Sequence, residues 1–477
     1  MEFIVYDIFL LIIFVLSVSA FLYSRRKNIR KEGLLFLYRT KLGIRLINYI
    51  GKKYKKTLRV SSYASIFTGY ILMISAIYFI GKIAYIYIAL PSAVKAIKVP
   101  PIMPLVPYID KVVPSLPSFY FTYWIIILAV IAISHEFFHG IFSVYNKVKV
   151  KTTGFGFFPY FLPVFLAAFV ELDEKKMEKK SKLSQMAVLS AGTFANVLTA
   201  ILFFVMLILF FSSMFVPAGI QFNSYPYSFV HPSNITSING KTIENFSELL
   251  LVAEEGKLNA IETNYGKKYF AEKNFLESHA SLPDFVILYE DAPAIKAGIK
   301  PEEAIIEINR INTNSIKKFK EQILNVHPGE TAEIKTKNIL TGEIKEYSIL
   351  LEKNPSSESN ISWLGVGFIS QERSGIIGKL YSLLSGFKNP SIYYEPKYDE
   401  ISNFIYNLLW WIVLISISVA IVNMLPVGIF DGGRFFYLTV LGITKSEKIA
   451  KKAFAFVTYM MLFLLLVMMI FWFFRIW

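Results

Sequence analysis

No cysteine occurs in the 477 residues, which excludes disulfides, cysteine-ligated metal and thiol catalysis. Histidine is scarce as well: of five in the chain, only His135 and His139 lie outside the polar stretch 213–400. Acids are outnumbered, 35 Asp and Glu against 50 Lys and Arg, for a net charge of +15. Such a surplus can mark a nucleic-acid binder, but these charges are placed differently. Residues 25–59 hold thirteen Lys or Arg against the single acid Glu32, lie between two apolar runs, and carry no aromatic-rich RNA-binding signature. A basic loop of that kind marks the cytoplasmic side of a membrane and attracts anionic lipid. The expected partner is the lipid bilayer and not nucleic acid.

What the chain has in quantity is apolar surface: 54% hydrophobic residues, 43 Phe and 28 Tyr, with a mean hydropathy of +0.48. About 20 uncharged apolar residues cross a hydrocarbon core, and six stretches qualify, near 3–24, 62–90, 120–145, 184–212, 403–427 and 453–474. The first has neither a basic segment before it nor a small-residue cleavage site after it, so it reads as a membrane helix and not a signal peptide. Within the basic loop, Leu35, Tyr38, Leu42, Leu46 and Tyr49 recur at helical spacing, predicting a helix along the inner surface. Placing that loop inside puts the N-terminus outside, and the clusters Lys147–Lys151, Lys175–Lys182 and Lys445–Lys452 then also fall inside. The loop 91–119 is too rich in proline for helix.

Residues 213–400 are polar, with Gly, Asn and Pro turns between short Ile/Val runs, and would sit outside. Ile235–Phe246 parallels Ile308–Phe319, matching Ile238 to Ile311, Asn239 to Asn312 and Ile243 to Ile316. The second copy follows Asp291-Ala-Pro-Ala-Ile-Lys-Ala-Gly-Ile299, which resembles the entry of bacterial PDZ domains, although Glu302-Glu303 stands where Gly-Asp is usual. One PDZ-like domain is expected, with a degenerate second one before it, against the alternative of an anonymous α+β domain. The expected organisation is N-terminal helices with the basic loop (1–119), a first core half (120–212), the outside region (213–400) and a second core half with the last helix (401–477).

The chemistry concentrates in Ile131-Ala-Ile-Ser-His135-Glu136-Phe-Phe-His139-Gly140. On a helix, positions i and i+4 share a face, so His135 and His139 can hold one metal ion between them. Glu136 is then placed to take a proton from water at that ion, and zinc lowers the pKa of water toward about 7. HExxH in a soluble helix is a weak signal. Here Phe121–Ser134 precedes it without a charge, and ionisable residues inside a membrane are costly and usually functional. Metal binding outweighs the alternative of polar residues snorkelling at a helix end.

Zinc hydrolases usually need a third protein ligand and an open position. The membrane part has no third His, so a carboxylate must serve. Asp431 is the foremost candidate, in Asn423-Met-Leu-Pro426-Val-Gly428-Ile-Phe-Asp431-Gly432-Gly433-Arg434. Its neighbours are apolar, and Pro426 and the glycines can break the helix and aim the side chain; a helix-ending turn that happens to contain Asp is the alternative. Glu171 and Asp173 are weaker candidates, because Lys175, Lys176 and Lys179 suggest a solvated face. Tyr120 to His135 and Leu408 to Asn423 each span about 22 Å of helix, so the two motifs reach similar depth.

HExxH in one membrane helix and NxxPxxxxDG far downstream in another resemble the site-2 protease family. The resemblance implies His135, His139 and Asp431 as ligands of Zn²⁺, Glu136 as general base, and Asn423 holding substrate or stabilising the tetrahedral oxyanion. Gly154-Phe-Gly156 is similar to the family's glycine-rich membrane hairpin, and Ala191-Gly192-Thr-Phe-Ala-Asn196 to its AGxxxN helix. The core resemblance covers about 120–212 and 403–434, and PDZ insertions between these halves occur in the family. It implies a multi-pass α-helical membrane protein of about six spans, with a re-entrant hairpin and an extracytoplasmic α+β PDZ-like insertion. It further implies an intramembrane endopeptidase of the cell membrane, active toward the cytoplasmic side. Its partners would be transmembrane protein substrates, with the PDZ-like region binding substrate or peptide termini. A strand near Thr153–Phe169 could present backbone groups to an extended substrate, the alternative being a buried re-entrant turn; Asn196 reads as interhelical glue. The competing functions are another membrane zincin type, a non-proteolytic transporter, and a PDZ scaffold with a structural metal.

Overall fold

The computed structural model describes residues 3–32, 35–89, 105–113, 116–157, 166–279, 284–355, 360–368, 382 and 386–476. The chain divides into two compact units, Met1–Phe210 with Asn403–Trp477, and Phe211–Ser402. Six helices are long and apolar enough to cross a membrane: Phe3–Ser24, Lys55–Ala89, Phe121–Tyr145, Lys182–Met214, Asp399–Asn423 and Glu447–Phe474. Large apolar side chains such as Phe9, Leu16 and Phe67 point outward from them, a surface suited to lipid and not to water. This is a multi-pass membrane protein. The fifth span ends at Asn423 and not near 427, since Pro426 cannot continue the hydrogen-bond ladder and the chain turns through Met424–Phe430 before a new helix, Asp431–Thr444.

The helices are pinned together at a few polar points. Asp7 is the one acid in the first apolar helix, and it is buried. Its carboxyl group accepts from the Phe121 and Thr122 amides (2.7 and 2.9 Å), the Thr122 hydroxyl (2.6 Å) and the Tyr108 hydroxyl (2.8 Å). The first helix therefore caps the third in trans, meeting amides that have no partner within their own helix. Tyr123 and Trp124 fix the same end by donating to the Phe404 and Leu105 carbonyls, each at 3.0 Å.

The basic loop does not form the single helix its spacing suggested. Arg26–Asn28 is one 3-10 turn, Ile29–Glu32 (β1) and Leu35–Thr40 (β2) are strands, and Ile44–Lys53 is a short helix ahead of the second span, which begins at Lys55. β2 pairs with Val150–Phe157 (β3), which pairs with Leu166–Leu172 (β4), giving one antiparallel sheet of order β1-β2-β3-β4. The partner strand lies more than a hundred residues away, and such pairing overrides a local helical period. The helix Ile44–Lys53 buries Ile47 and Gly51 against the third span, where Gly140 gives Ile47 room and Gly51 meets Val144. Leu42, Leu46 and Tyr49 stay exposed. The residues between β3 and β4, Pro159 and Pro163 among them, lie outside the described residues.

The second unit carries the internal repeat, in a different register. In the first copy Ile235–Ile238 turns into Lys241–Thr242, followed by the helix Phe246–Val252 and strands Leu258–Thr263 and Lys268–Glu272. In the second, Glu303–Ile308 turns into Ile311–Asn312, followed by Ile316–Leu324, Thr331–Asn338 and Ile344–Leu350. Equivalent residues are Asn239 with Asn309 and Leu249 with Phe319, three positions away from the alignment by sequence. Ile-Asn occurs twice in the second copy, and the first occurrence makes the turn. Both turn asparagines sit at positive φ, 49° and 48°, where Asn is tolerated. Each also accepts the amide of the facing strand: Ala260 to Asn239 at 2.9 Å and Glu333 to Asn309 at 2.8 Å.

Each copy has its own apolar core, one around Ile238, Leu249, Ile261 and Leu288, the other around Ile305, Ile308, Phe319 and Ile334. The Pro-Ala-Ile-Lys-Ala run before the second copy is a short helix, Pro293–Ala297, closed by Gly298 at φ 77°, the left-handed cap glycine favours. Glu303, in place of the usual Asp, is buried and accepts from Thr336 Oγ1 (2.7 Å), Tyr347 (2.9 Å) and Lys345 Nζ (3.3 Å). Burial first, and then that hydrogen bond, push the Tyr347 phenol up to about 12, so it remains a donor.

Candidate metal centre

His135 and His139 face the same way one turn apart on Phe121–Tyr145, with their Nε2 atoms 3.1 Å from each other. Asp431 opens the helix beyond the Met424–Phe430 turns, and its Oδ2 lies 3.4 Å from His135 Nε2 and 3.2 Å from His139 Nε2. Its position depends on the next two residues. A Cβ on Gly432 would strike the backbone of Met424 and Leu425, and one on Gly433 that of Val427. The glycines let the preceding turns fold back onto the helix start, which aims the carboxylate. The three ligand atoms fall within 4.8 Å of one another, and no other His, Asp or Glu group among the described residues could hold a metal in this way.

Glu136 shares a cavity of about 350 Å³ with these three residues, Asn423 and Arg434. Its Oε2 accepts from the Val170 amide of β4 at 2.8 Å. Glu171 and Asp173 are engaged elsewhere. Glu171 accepts from Thr152 (2.8 Å) and Arg39 Nε (3.0 Å), and Asp173 caps the short helix Glu174–Glu178.

A family model described as peptidase family M50 matches residues 123–468, spanning both motifs and the insertion between them. The chain belongs to peptidase family M50. That is the site-2 protease family, of membrane metalloproteases. No curated protein matches the chain.

An M50 peptidase requires a metal, and two features beyond the three donors bear on whether one fits. The first is Gly192, on Lys182–Met214. A Cβ there would run into the Nε2 atoms of both His135 and His139, so a side chain would fill the space between the donors. The second is buried Asn196, one turn later. Its amide faces His135 Nδ1 at 3.1 Å, while its Oδ1 is buried with no partner. Amide oxygen and nitrogen are assigned from the hydrogen-bond network. Turning the amide over satisfies Oδ1 with the His135 Nδ1 proton and leaves the Nε2 lone pair facing the cluster. His139 is set the same way, its Nδ1 lying 2.7 Å from the Val188 carbonyl oxygen. Both imidazoles are thus held with Nε2 as the acceptor, as metal-ligating histidines are. Two neutral imidazoles and one carboxylate suit zinc with an open position.

Asn196 does more than join helices: it orients a donor. Several contributors carried weak sequence signals or none. Asp7 could have been noticed as an acid inside an apolar run. The Val170 amide and the Val188 carbonyl are backbone groups brought in by tertiary structure. Arg434, on the cavity wall, pairs with Glu174 at 2.8 Å.

Proposed function

We propose that this chain is an intramembrane zinc-dependent endopeptidase that cuts spanning segments of membrane-protein substrates. The observation that carries the reading is the convergence of His135, His139 and Asp431 beside Glu136 in one cavity, on helices of spanning length. His135, His139 and Asp431 would hold the ion. Zinc, when bound, supplies Lewis acidity that brings the pKa of water down toward about 7. Glu136 takes a proton from the attacking water on its carboxylate and delivers it to the leaving nitrogen. Asn423, at the end of its helix on the cavity wall, donates from its amide to the carbonyl oxygen that gains charge.

β4 is the edge strand of its sheet and runs beside Glu136. An extended substrate added to that edge would be presented to the base with its backbone paired. Pairing of β2 with β3 puts the basic loop on the side where the third span ends. By the positive-inside rule this supports an active site near the cytoplasmic face, with the N-terminus and the insertion outside. The repeated order of hairpin, helix and two strands supports reading the insertion as a tandem PDZ-like region that screens substrates or peptide termini.

Glu136→Gln tests the division of labour. It keeps the side chain's shape and should retain zinc, while cleavage of a membrane-helix substrate falls by at least about 10²-fold. Loss of zinc together with activity would instead make Glu136 a ligand.

A further inference from the structure

A second cavity, of about 650 Å³, opens on the sheet β1–β4 and is lined by Lys27, Asn28, Arg30, Arg39, Lys151, Thr152 and Glu171. Strand pairing explains why these side chains share one face. Arg30 pairs with Leu37, so Arg39, two residues on, projects with them. Arg39 pairs with Gly154, so Thr152 and its partner Glu171 lie on that face too. The register shifts between Val150 and Thr152, a bulge that brings the extra residue Lys151 to the same cavity.

Four cations thus converge with a single acid. Glu171 is committed to Arg39 and Thr152, and Lys27, Arg30 and Lys151 make no ion pair among the described residues. Like charges gathered in a concave site repel one another unless an anion joins them. The location names the source of that anion. Lys27 follows closely on Ser24, where the first membrane helix ends, and Lys151 on Tyr145, where the third ends. Both cations stand where two spanning helices leave the hydrocarbon, at the level of lipid headgroups.

We propose that this cavity is a binding site for a phosphate group, supplied by the headgroup of an anionic membrane lipid. Asn28 adds a neutral amide donor beside the cations. The bound phosphate braces the sheet that carries β4, in which Glu171 borders the cavity and the adjacent Val170 amide holds Glu136. The inference rests on the sheet and does not depend on the peptidase reading.

The test uses the full-length protein in detergent, with phosphatidylglycerol, phosphatidic acid or phosphatidylcholine added in turn and retained lipid counted by native mass spectrometry. The two anionic lipids should be retained and phosphatidylcholine should not. Arg30→Gln with Lys151→Gln should weaken retention roughly thirtyfold, the effect of two cations near a headgroup. Lys55→Gln with Lys56→Gln removes the same charge from the same basic segment and should change little. Glu171→Gln, which removes the competing carboxylate, should tighten binding and serves if the double variant fails to fold. Equal losses from both double variants would overturn the site in favour of general surface attraction, as would equal retention of phosphatidylcholine. A parallel arm titrates inorganic phosphate: binding of it without lipid retention would overturn the lipid as the source.

Discussion

The two units handle polar groups in opposite ways. Within the spanning helices of the membrane unit, ionisable and amide side chains are few, and several have an individual task. Asp7 caps the third helix, Asn196 orients His135, and Glu136 is held by one amide. In the insertion, polar groups form shared networks, such as the three donors around Glu303 or the reciprocal amides at Asn239 and Asn309. The reason is the solvent. A polar group among apolar helices has no water to replace a lost partner, whereas most polar groups of the insertion can still turn to water. Single substitutions should therefore act sharply and locally in the membrane unit and more mildly in the insertion.

The largest effect is expected at Gly192. Gly192→Ala places a methyl group between the two histidine Nε2 atoms, so zinc affinity should fall at least about 100-fold, the upper range for changes around a metal site. The helix itself should persist, because Ala favours helix more than Gly. Zinc content after dialysis against a chelator, with circular dichroism on the same sample, checks both halves. Asp7→Ala comes next: it strips acceptors from four donors at a buried helix start and should cost roughly 2–4 kcal/mol of membrane-unit stability. Thermal unfolding followed in detergent reads this, and an unchanged melting temperature would remove the in-trans cap from the account.

Glu303→Leu should destabilise the insertion by about 2–3 kcal/mol, since it leaves Thr336 and Tyr347 without their acceptor. Fluorescence unfolding of the full-length protein, compared before and after the substitution, gives the figure. The smallest effect has the opposite sign. Arg310 sits at φ 64° where the first copy has Gly240 at 77°, and a left-handed conformation is costly with a side chain. Arg310→Gly should stabilise the second copy by roughly 0.5 kcal/mol, after the entropy glycine loses on folding. Destabilisation there would mean that the two turns are not equivalent.

How much of this was legible in the sequence varied with the origin of each feature. The six spans stood out because their apolar runs are long. His135, His139 and Asp431 were legible for the opposite reason: polar residues stand out within apolar sequence, and the structure brings these three together. Asp7 carried the same signal and went unread. β2 was read as helix because Leu35, Tyr38, Leu42, Leu46 and Tyr49 keep a helical period. Its strand pairing is decided by β3, far along the chain. The repeat was visible but three residues out of register, since side-chain identity alone could not say which Ile-Asn makes the turn. Backbone partners such as the Val170 amide and the Val188 carbonyl leave no mark in a sequence, because every residue has them.

The central claim is that the third membrane helix and the helix that follows the fifth, Asp431–Thr444, meet at one zinc ion, and the residue that joins them is Asp431. Zinc bound per chain, measured by elemental analysis on purified Asp431→Ala beside the parent, tests it most directly. The account predicts that the variant loses most of its zinc, and its cleavage of a membrane-helix substrate with it, while Glu136→Gln purified in parallel keeps the metal. An Asp431→Ala protein that binds zinc as tightly as the parent and still cuts would contradict the account and place the third ligand elsewhere.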